Sequence, residues 1–470
     1  MSENFGEGHP YIPNSVARTR DSMLREIGVK DVGDLLAIIP ERLRLSRRLN
    51  LPGPLAAEPD LRRHVEGILQ RNRTCREYLS FLGGGCWQHY VPAVVDEIVH
   101  RAEFVTAYAG NTYSDLGKWQ AFFEFQSMMG ELLEMDVVSL PTFDWGCAAG
   151  FATRMASRIT GRDEVLISWT VSPERLAVIK NFCHSEDAPT QINIKKVGYD
   201  VRTGLLDLED LKTKISTRTA AVYFENPSYL GMVESQGEEI SKIVHDNGAE
   251  CIVGVDPISL GVLAPPAEYG ADIVCGDIQP LGLHMNYGGG VGGFIASRDE
   301  ERYVSEYPTH LVSIASTEDG TGFGFGFSTH RRTLYAVREK GKDFTGTTVG
   351  LWTIAAAVYL ALMGPAGMSE VGEAIIQKSH YAAGLLSEIP GVRILFTPYF
   401  FKEFVVNFDD TGKTVREVNK KLIEHKIFGG KDVTFEFPEL GNSSLYAVTE
   451  IHTRDDLDRL AKSLEAVLDE

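Results

Sequence analysis

Residues Cys251 to Ala296 read CIVGVDPISLGVLAPPAEYGADIVCGDIQPLGLHMNYGGGVGGFIA, and this stretch decides the fold. Cys251-Ile-Val-Gly-Val255 is an apolar run without polar alternation, the pattern of a strand buried on both faces. Asp272-Ile-Val-Cys275 repeats it. Each run leads into a loop carrying one polar group, Asp256 after the first and Gln279 after the second. Open α/β sheets bind ligands at the carboxyl ends of their parallel strands, so these two residues mark a cleft.

Working outward, the same alternation of strand and helix patterns reaches back to Glu164. Val165-Leu-Ile167, Gln191–Val197 and Ala220–Phe224 are strand-like. Pro173–Cys183, Leu208–Ile215 and Glu234–Asn247 have helical spacing, the last stopped by Gly248. The third strand runs into Glu225-Asn-Pro-Ser228, so the topology predicts Asn226, Asp256 and Gln279 at one edge of a mainly parallel sheet. Further upstream, Met135–Leu140 is a short strand, and Pro141–Ala149 turns into a helix towards Ile159. A small-residue turn opening a helix, here with Gly146 and Cys147, is an anion site in principle because free N–H groups point outward; a tight turn without a ligand accounts for it equally well. Cys147 at that helix start is a candidate for a lowered thiol pKa, against a plain role as small buried filler.

Helices are expected at Val91–Phe104 and Lys118–Glu134, after the glycine turn Ser80-Phe-Leu-Gly-Gly-Gly85. Three glycines let backbone approach a ligand or another chain, or form a flexible loop. Residues 1–80 read as an N-terminal helical arm with helices at Arg18–Ile27 and Asp31–Ile39 and a linker at Leu49–Pro54, wrapping a larger body. Residues 81–350 form the large α/β domain, and 351–470 a core helix followed by a smaller C-terminal α+β lobe. Within the large domain, 320–346 (GTGFGFGFSTHRRTLYAVREKGKDFTG) is loop-like, either a mobile segment reaching an anionic partner or a solvated charge run. The apolar stretch Val349–Gly364 has 16 residues, short of the roughly 20 a membrane span needs, so it is expected as a buried core helix.

Composition narrows the function classes. With 46 basic against 65 acidic residues the chain carries −19, which disfavours nucleic acid and anionic membranes as partners. The six cysteines lack metal-ligand spacing and fit reduced buried thiols. MSENFGEGHP has no secretory pattern, so a cytoplasmic location is expected. Gly288-Gly-Gly290-Val-Gly-Gly293 matches GxGxxG, yet it leads into a strand instead of opening a helix, so the dinucleotide reading fails. No GxSxG elbow is present. His89 and His284 are candidate acid/bases.

In aminotransferase-type enzymes of pyridoxal 5′-phosphate (PLP), an Asp at the first strand end bonds the pyridinium nitrogen and a Lys at the second carries the Schiff base. Here Asp256 is present and Gln279 stands where the lysine belongs. The segments SFLGGGCWQHYVPAVVDEIVHRAEFVTAY (80–108), VGVDPISLGVLAPPAEYGADIVCGDIQPLG (253–282) and LGNSSLYAVTE (440–450) resemble subunit 1 of the split bacterial glycine dehydrogenase (decarboxylating), the P-protein of the glycine cleavage system. The resemblance implies the aspartate aminotransferase-like fold type I of PLP-dependent transferases. It also implies an α2β2 assembly in which a catalytic β chain of the same fold carries PLP on its lysine, and a lipoylated H-protein as carrier. This α chain would be non-catalytic, with Asp256, Gln279, Asn226, Gly146, Cys147 and His284 as vestigial pocket positions. The sequence departs from the family pattern at 109–117, 141–149 and 338–348. Two alternatives stay open: a divergent paralogue acting on another amino acid or amine, and a scaffold homodimer without catalysis.

Overall fold

The computed structural model describes residues 8, 11–45, 47, 49–105, 118–184, 191–286, 292–328, 330–333, 339–345 and 348–470. They fall into two compact units, Met1–Arg73 and Thr74–Glu470. In the first, α1 (Ala17–Ile27) ends where Gly28 turns left-handed at φ 84° and its N–H reaches the Leu24 and Arg25 carbonyls, a conformation that glycine enters without a Cβ penalty. The expected helix Asp31–Ile39 is shorter: α2 (Val32–Leu35) is one turn, started by a reciprocal capping box between Asp31 and Asp34, and turns follow to Ile39. Beyond the linker lies α3 (Glu58–Leu69), with proline in its first turn.

The second unit starts with β1 (Leu79–Ser80), α4 (Ala93–Val99) and α5 (Trp119–Leu133). The helix expected over Val91–Phe104 thus stops at Val99; the loop at 109–117 lies outside the described residues. Next come β2 (Val137–Val138), α6 (Trp145–Thr160), β3 (Glu164–Ser168), α7 (Pro173–Cys183), β4 (Asn193–Val197), α8 (Leu208–Lys214), β5 (Thr219–Glu225), α9 (Gly237–Asp246), β6 (Glu250–Val255), β7 (Ile273–Asp277) and β8 (Gly293–Ser297). Their seven-stranded sheet has the order β2-β8-β7-β6-β5-β3-β4. From β4 to β7 neighbours are parallel, and β8 runs antiparallel to both β7 and β2. Strands β3, β5, β6 and β7 are buried along their whole length, which is why they lack polar alternation.

Small residues set the close approach of α6 and α7. A Cβ on Gly150 would stand 2.6 Å from the Phe182 ring, and one on Gly146 3.1 Å from Val178 Cβ. Gly293, the last glycine of the GxGxxG match, starts β8 because a Cβ there would meet the Asp144 carbonyl at 2.1 Å. Gly288–Gly290 lie outside the described residues.

The Gly/Phe stretch is a correction. After α10 (Glu301–Val304), β9 (Val312–Ser316) and β10 (Phe323–Phe327) form an antiparallel hairpin. Alternation of Phe with Gly has the strand period of two, and places Phe325 against Phe123 and Phe327 against Trp119 of α5. Following α11 (His330–Thr333), the charged residues Glu339, Lys340 and Lys342 are exposed, as a solvated charge run is, while Asp343 anchors the segment, binding Arg154 at 2.9 Å and Arg158 at 2.6 Å, and Lys342 pairs with Glu306.

Helix α12 (Gly350–Ser387) is bent at Gly364, which is followed by Pro365. It is long and apolar enough by composition to cross a membrane. Its first part packs with the large-domain core through Ala355, Ala356 and Leu360, and its end joins the small-lobe core through Ala383 and Leu386. The lobe contains β11 (Arg393–Leu395), β12 (Glu403–Asn407), α13 (Val415–Glu424), β13 (Ile427–Phe428), β14 (Lys431–Asp432), β15 (Ser443–Ala447) and α14 (Arg454–Asp469). Its sheet has the order β11-β12-β15-β14, while β13 pairs with β1. Capping boxes Thr414/Glu417 and Thr453/Asp456 start its two helices, each worth about 1 kcal/mol.

Candidate functional site

Parallel β5, β6 and β7 end in register, Glu225 opposite Gly254 and Val255 opposite Gly276. Asn226, Asp256 and Gln279 therefore leave the sheet at the same end. The cleft there is lined by Trp87, Trp145, Arg175, Pro227, Ser228, Asp256 and the small-lobe residues Phe401, Lys402 and Glu403. Free space for a water-sized sphere is only ≈ 10 Å³, room for about one water.

The chain's own groups fill the rest. Asp256 accepts the Ile258 N–H at 3.1 Å with one oxygen and meets Lys402 Nζ at 2.5 Å with the other. Lys402 is 1% exposed; a lysine is almost never so buried without a partner. Its ammonium also donates to His89 Nε2 at 2.8 Å and lies 3.9 Å from the centre of the Trp87 ring, a cation–π contact. His89 Nδ1 is 2.7 Å from Glu450 Oε2, so Nδ1 carries the proton and donates to the carboxylate while Nε2 accepts. Burial works to raise the Glu450 pKa, while the hydrogen bonds it accepts from His89 and from the Tyr90 N–H work to lower it.

A second buried pair closes the other wall. Arg175 Nε stands 2.8 Å from Glu225 Oε1, and its guanidinium stacks 3.9 Å over the Trp145 ring. Glu225 also accepts from the Tyr223 hydroxyl at 2.9 Å. At the rim the glycine turn supplies a backbone donor to the cleft wall. Gly84 and Gly85 take φ 107° and 98°, and the Gly84 N–H donates to Glu403 Oε1 at 2.6 Å.

Gln279, where a Schiff-base lysine would stand, is fully engaged. Its amide donates to the carbonyls of Trp87 and Leu283, each at 3.1 Å, and its oxygen accepts the Trp87 N–H at 3.4 Å. The start of α6 is occupied too. Asp144 caps it, accepting from Cys147 N at 2.7 Å, and Asp277 accepts the N–H groups of Trp145 and of Gln279. Burial, with Asp144 adding to it, pushes the Asp277 pKa up to about 7.

The other sequence candidates lie apart from this cluster. Asn226 bridges to Glu234 and Tyr269. Gly146 serves helix packing against α7. Burial, then the Asp144 charge, pushes the Cys147 thiol up to about 12, the opposite of activation. His284 is exposed and pairs with Asp96 at 3.0 Å. Sequence reasoning missed Lys402, Arg175, Glu225 and Glu450. A signal existed for the first: Lys402-Glu403 interrupts the apolar run Tyr399–Val406, and two charges inside a strand pattern need buried partners.

A pyridoxal cofactor does not fit these residues. The acid that would hold its ring nitrogen already has a cation, the Schiff-base position holds a glutamine, and the helix start carries two carboxylates.

The glycine cleavage system P-protein family model matches residues 9–464. A probable glycine dehydrogenase (decarboxylating) subunit 1 of Staphylothermus marinus is 40% identical over 99% of each chain. The protein of the same name from Carboxydothermus hydrogenoformans is 37% identical, covering 97% of this chain and 99% of its own. Among solved structures, an inhibitor-bound glycine decarboxylase (P-protein) of the glycine cleavage system superposes with a TM-score of 0.83 at 32% identity, over 98% of this chain and 100% of that one. A NifS-like protein from Rickettsia africae, at 15% identity and a TM-score of 0.61 over 84% and 100%, shares the fold alone.

Proposed function

Because the chain belongs to the glycine cleavage system P-protein family, with the fold of type I PLP-dependent transferases, and is part of a glycine dehydrogenase (decarboxylating), we propose that it is the cofactor-free subunit of that enzyme. The relatives' name, subunit 1, implies a second subunit. In this reading subunit 2 has the same fold, holds PLP on its lysine, and pairs with this chain as α2β2 in the cytoplasm. The electron-accepting chemistry that PLP supplies as CO2 leaves glycine then belongs to subunit 2. The remaining aminomethyl group passes to a lipoylated carrier protein. This chain contributes a rigid neighbour for the partner's site.

The observation that carries the reading is Asp256 neutralised by Lys402 opposite an engaged Gln279. The test is to express the chain alone and with subunit 2, incubate each with PLP, reduce with borohydride and locate the modified lysine by mass spectrometry. Modification on subunit 2 only, with glycine–CO2 exchange in the complex and none in the isolated chain, is expected. Stoichiometric PLP on a lysine of this chain would overturn the proposal. Native mass measurement checks the α2β2 composition.

A further inference from the structure

The series Asp256, Lys402, His89, Glu450 joins four separate segments of the fold. Asp256 follows β6 of the large domain; Lys402 precedes β12 of the small lobe. His89 lies on the segment after β1, and Glu450 follows β15. The Lys402 ammonium is met by a carboxylate, an imidazole nitrogen and an indole face.

The backbone is arranged to deliver this one side chain. Lys402 sits at φ 63°, a left-handed conformation that a residue with a Cβ adopts only when its surroundings impose it. Its carbonyl accepts from Val448 N at 3.0 Å, and the preceding Phe401 N–H reaches across to Gly231 O at 3.0 Å. Phe401 itself belongs to the large-domain core. Gly231 must be glycine, since a Cβ there would lie 1.9 Å from the Glu403 carbonyl oxygen. Strand and loop therefore approach as closely as backbones can, and the lysine enters the large domain between them.

Resting on the reading of this chain as the cofactor-free subunit, we propose that Lys402 is a built-in replacement for the ring cation: a positioning residue whose ammonium neutralises Asp256 and ties the small lobe to the large domain. The acid of an ancestral type of site is thereby reused as one end of an interlobe tie. Lobe closure, which a ligand drives in an open cleft, is here made permanent by the chain.

The test uses the full chain in complex with subunit 2 and reads stability and hydrogen exchange, which do not depend on where PLP resides. Lys402→Ala is expected to lower Tm by roughly 5 °C and to speed exchange at the Phe401 and Val448 amides about tenfold or more, with the β5 amides unchanged. Propylammonium chloride, which replaces the deleted atoms, should restore most of both, whereas sodium chloride at equal ionic strength should not. Should Lys402→Ala fail to fold, Lys402→Met and the double variant Asp256→Asn/Lys402→Met decide. The double variant is expected to be more stable than Lys402→Met, because no charge is then left unmatched. No rescue by propylammonium, or a double variant as unstable as the single, would overturn the proposal whether or not PLP is confined to subunit 2.

Discussion

Asp256 and Asp277 stand one strand apart at the same end of the sheet, 5% and 3% exposed, and their surroundings treat them oppositely. Asp256 faces a lysine at 2.5 Å, brought in from another lobe. Asp277 has no ion-pair partner of that kind among the described residues; burial and the unfavourable charge of Asp144 outweigh the N–H groups of Gln279 and Trp145 and the more distant charge of Arg175, and its pKa rises to about 7. Equal burial thus gives one carboxylate that binds two lobes together and one that is a liability near neutral pH. Burial alone does not decide the outcome; the partner does.

The largest effect expected from breaking this contrast is at the cation. Lys402→Met leaves Asp256 buried and unmatched and should cost about 3–5 kcal/mol in denaturant unfolding at pH 7. A loss well under ~1 kcal/mol would mean that Asp256 is no better compensated than Asp277. Next is the far end of the series. The folded Glu450 carboxyl is held below its ordinary value by the hydrogen bonds it accepts from His89 and Tyr90, so its stabilisation is present above the ordinary carboxyl pKa and lost as pH falls below it. Glu450→Gln should therefore destabilise by roughly 2–3 kcal/mol at pH 7 and flatten the acid limb of the stability curve.

Asp277 reverses the sign. Its folded pKa of about 7 lies above the ordinary 3.8, so native chains bind the extra proton, and stability declines as pH rises from about 3.8 through 7. Asp277→Asn keeps the acceptor for Gln279 N–H and removes the charge. It should raise stability by roughly 2 kcal/mol at pH 8 and change little at pH 3.5, read from paired urea titrations. The smallest effect belongs to Asp144→Asn. Asparagine caps a helix as well as aspartate, so unfolding should shift by only a few tenths of a kcal/mol. The Asp277 titration, followed by carboxyl infrared absorption, should move downward once that neighbouring charge is gone.

Much of the architecture is legible because it is written in local period. Spacing alone bounds Pro173–Cys183 where the structure has it, and the apolar runs of β5, β6 and β7 announce a sheet buried on both faces. The hairpin β9–β10 hides behind its glycine content, which suggests a loop, while the alternation with Phe carries the strand period and needs α5 to make it visible. Asp256 and Gln279 can be located from strand ends and the resemblance. Their chemistry cannot. Lys402 reaches Asp256 from a distant segment, with His89 and Glu450 behind it in series, and no local pattern encodes which carboxylate a buried lysine will find. His284 shows the converse, a chemically suggestive residue in the right stretch that folds to the surface beside Asp96.

The three hydrogen bonds of Gln279 have a historical consequence. Restoring a lysine at 279 would strip the Trp87 and Leu283 carbonyls of their donor and bring a second ammonium towards a carboxylate that already has one. A single reversion would therefore be selected against before any cofactor could reward it, and the path back would demand changes at 279, 402 and the start of α6 together. The change is in this sense ratcheted: a cleft wired into the framework at several points is not reopened by one mutation.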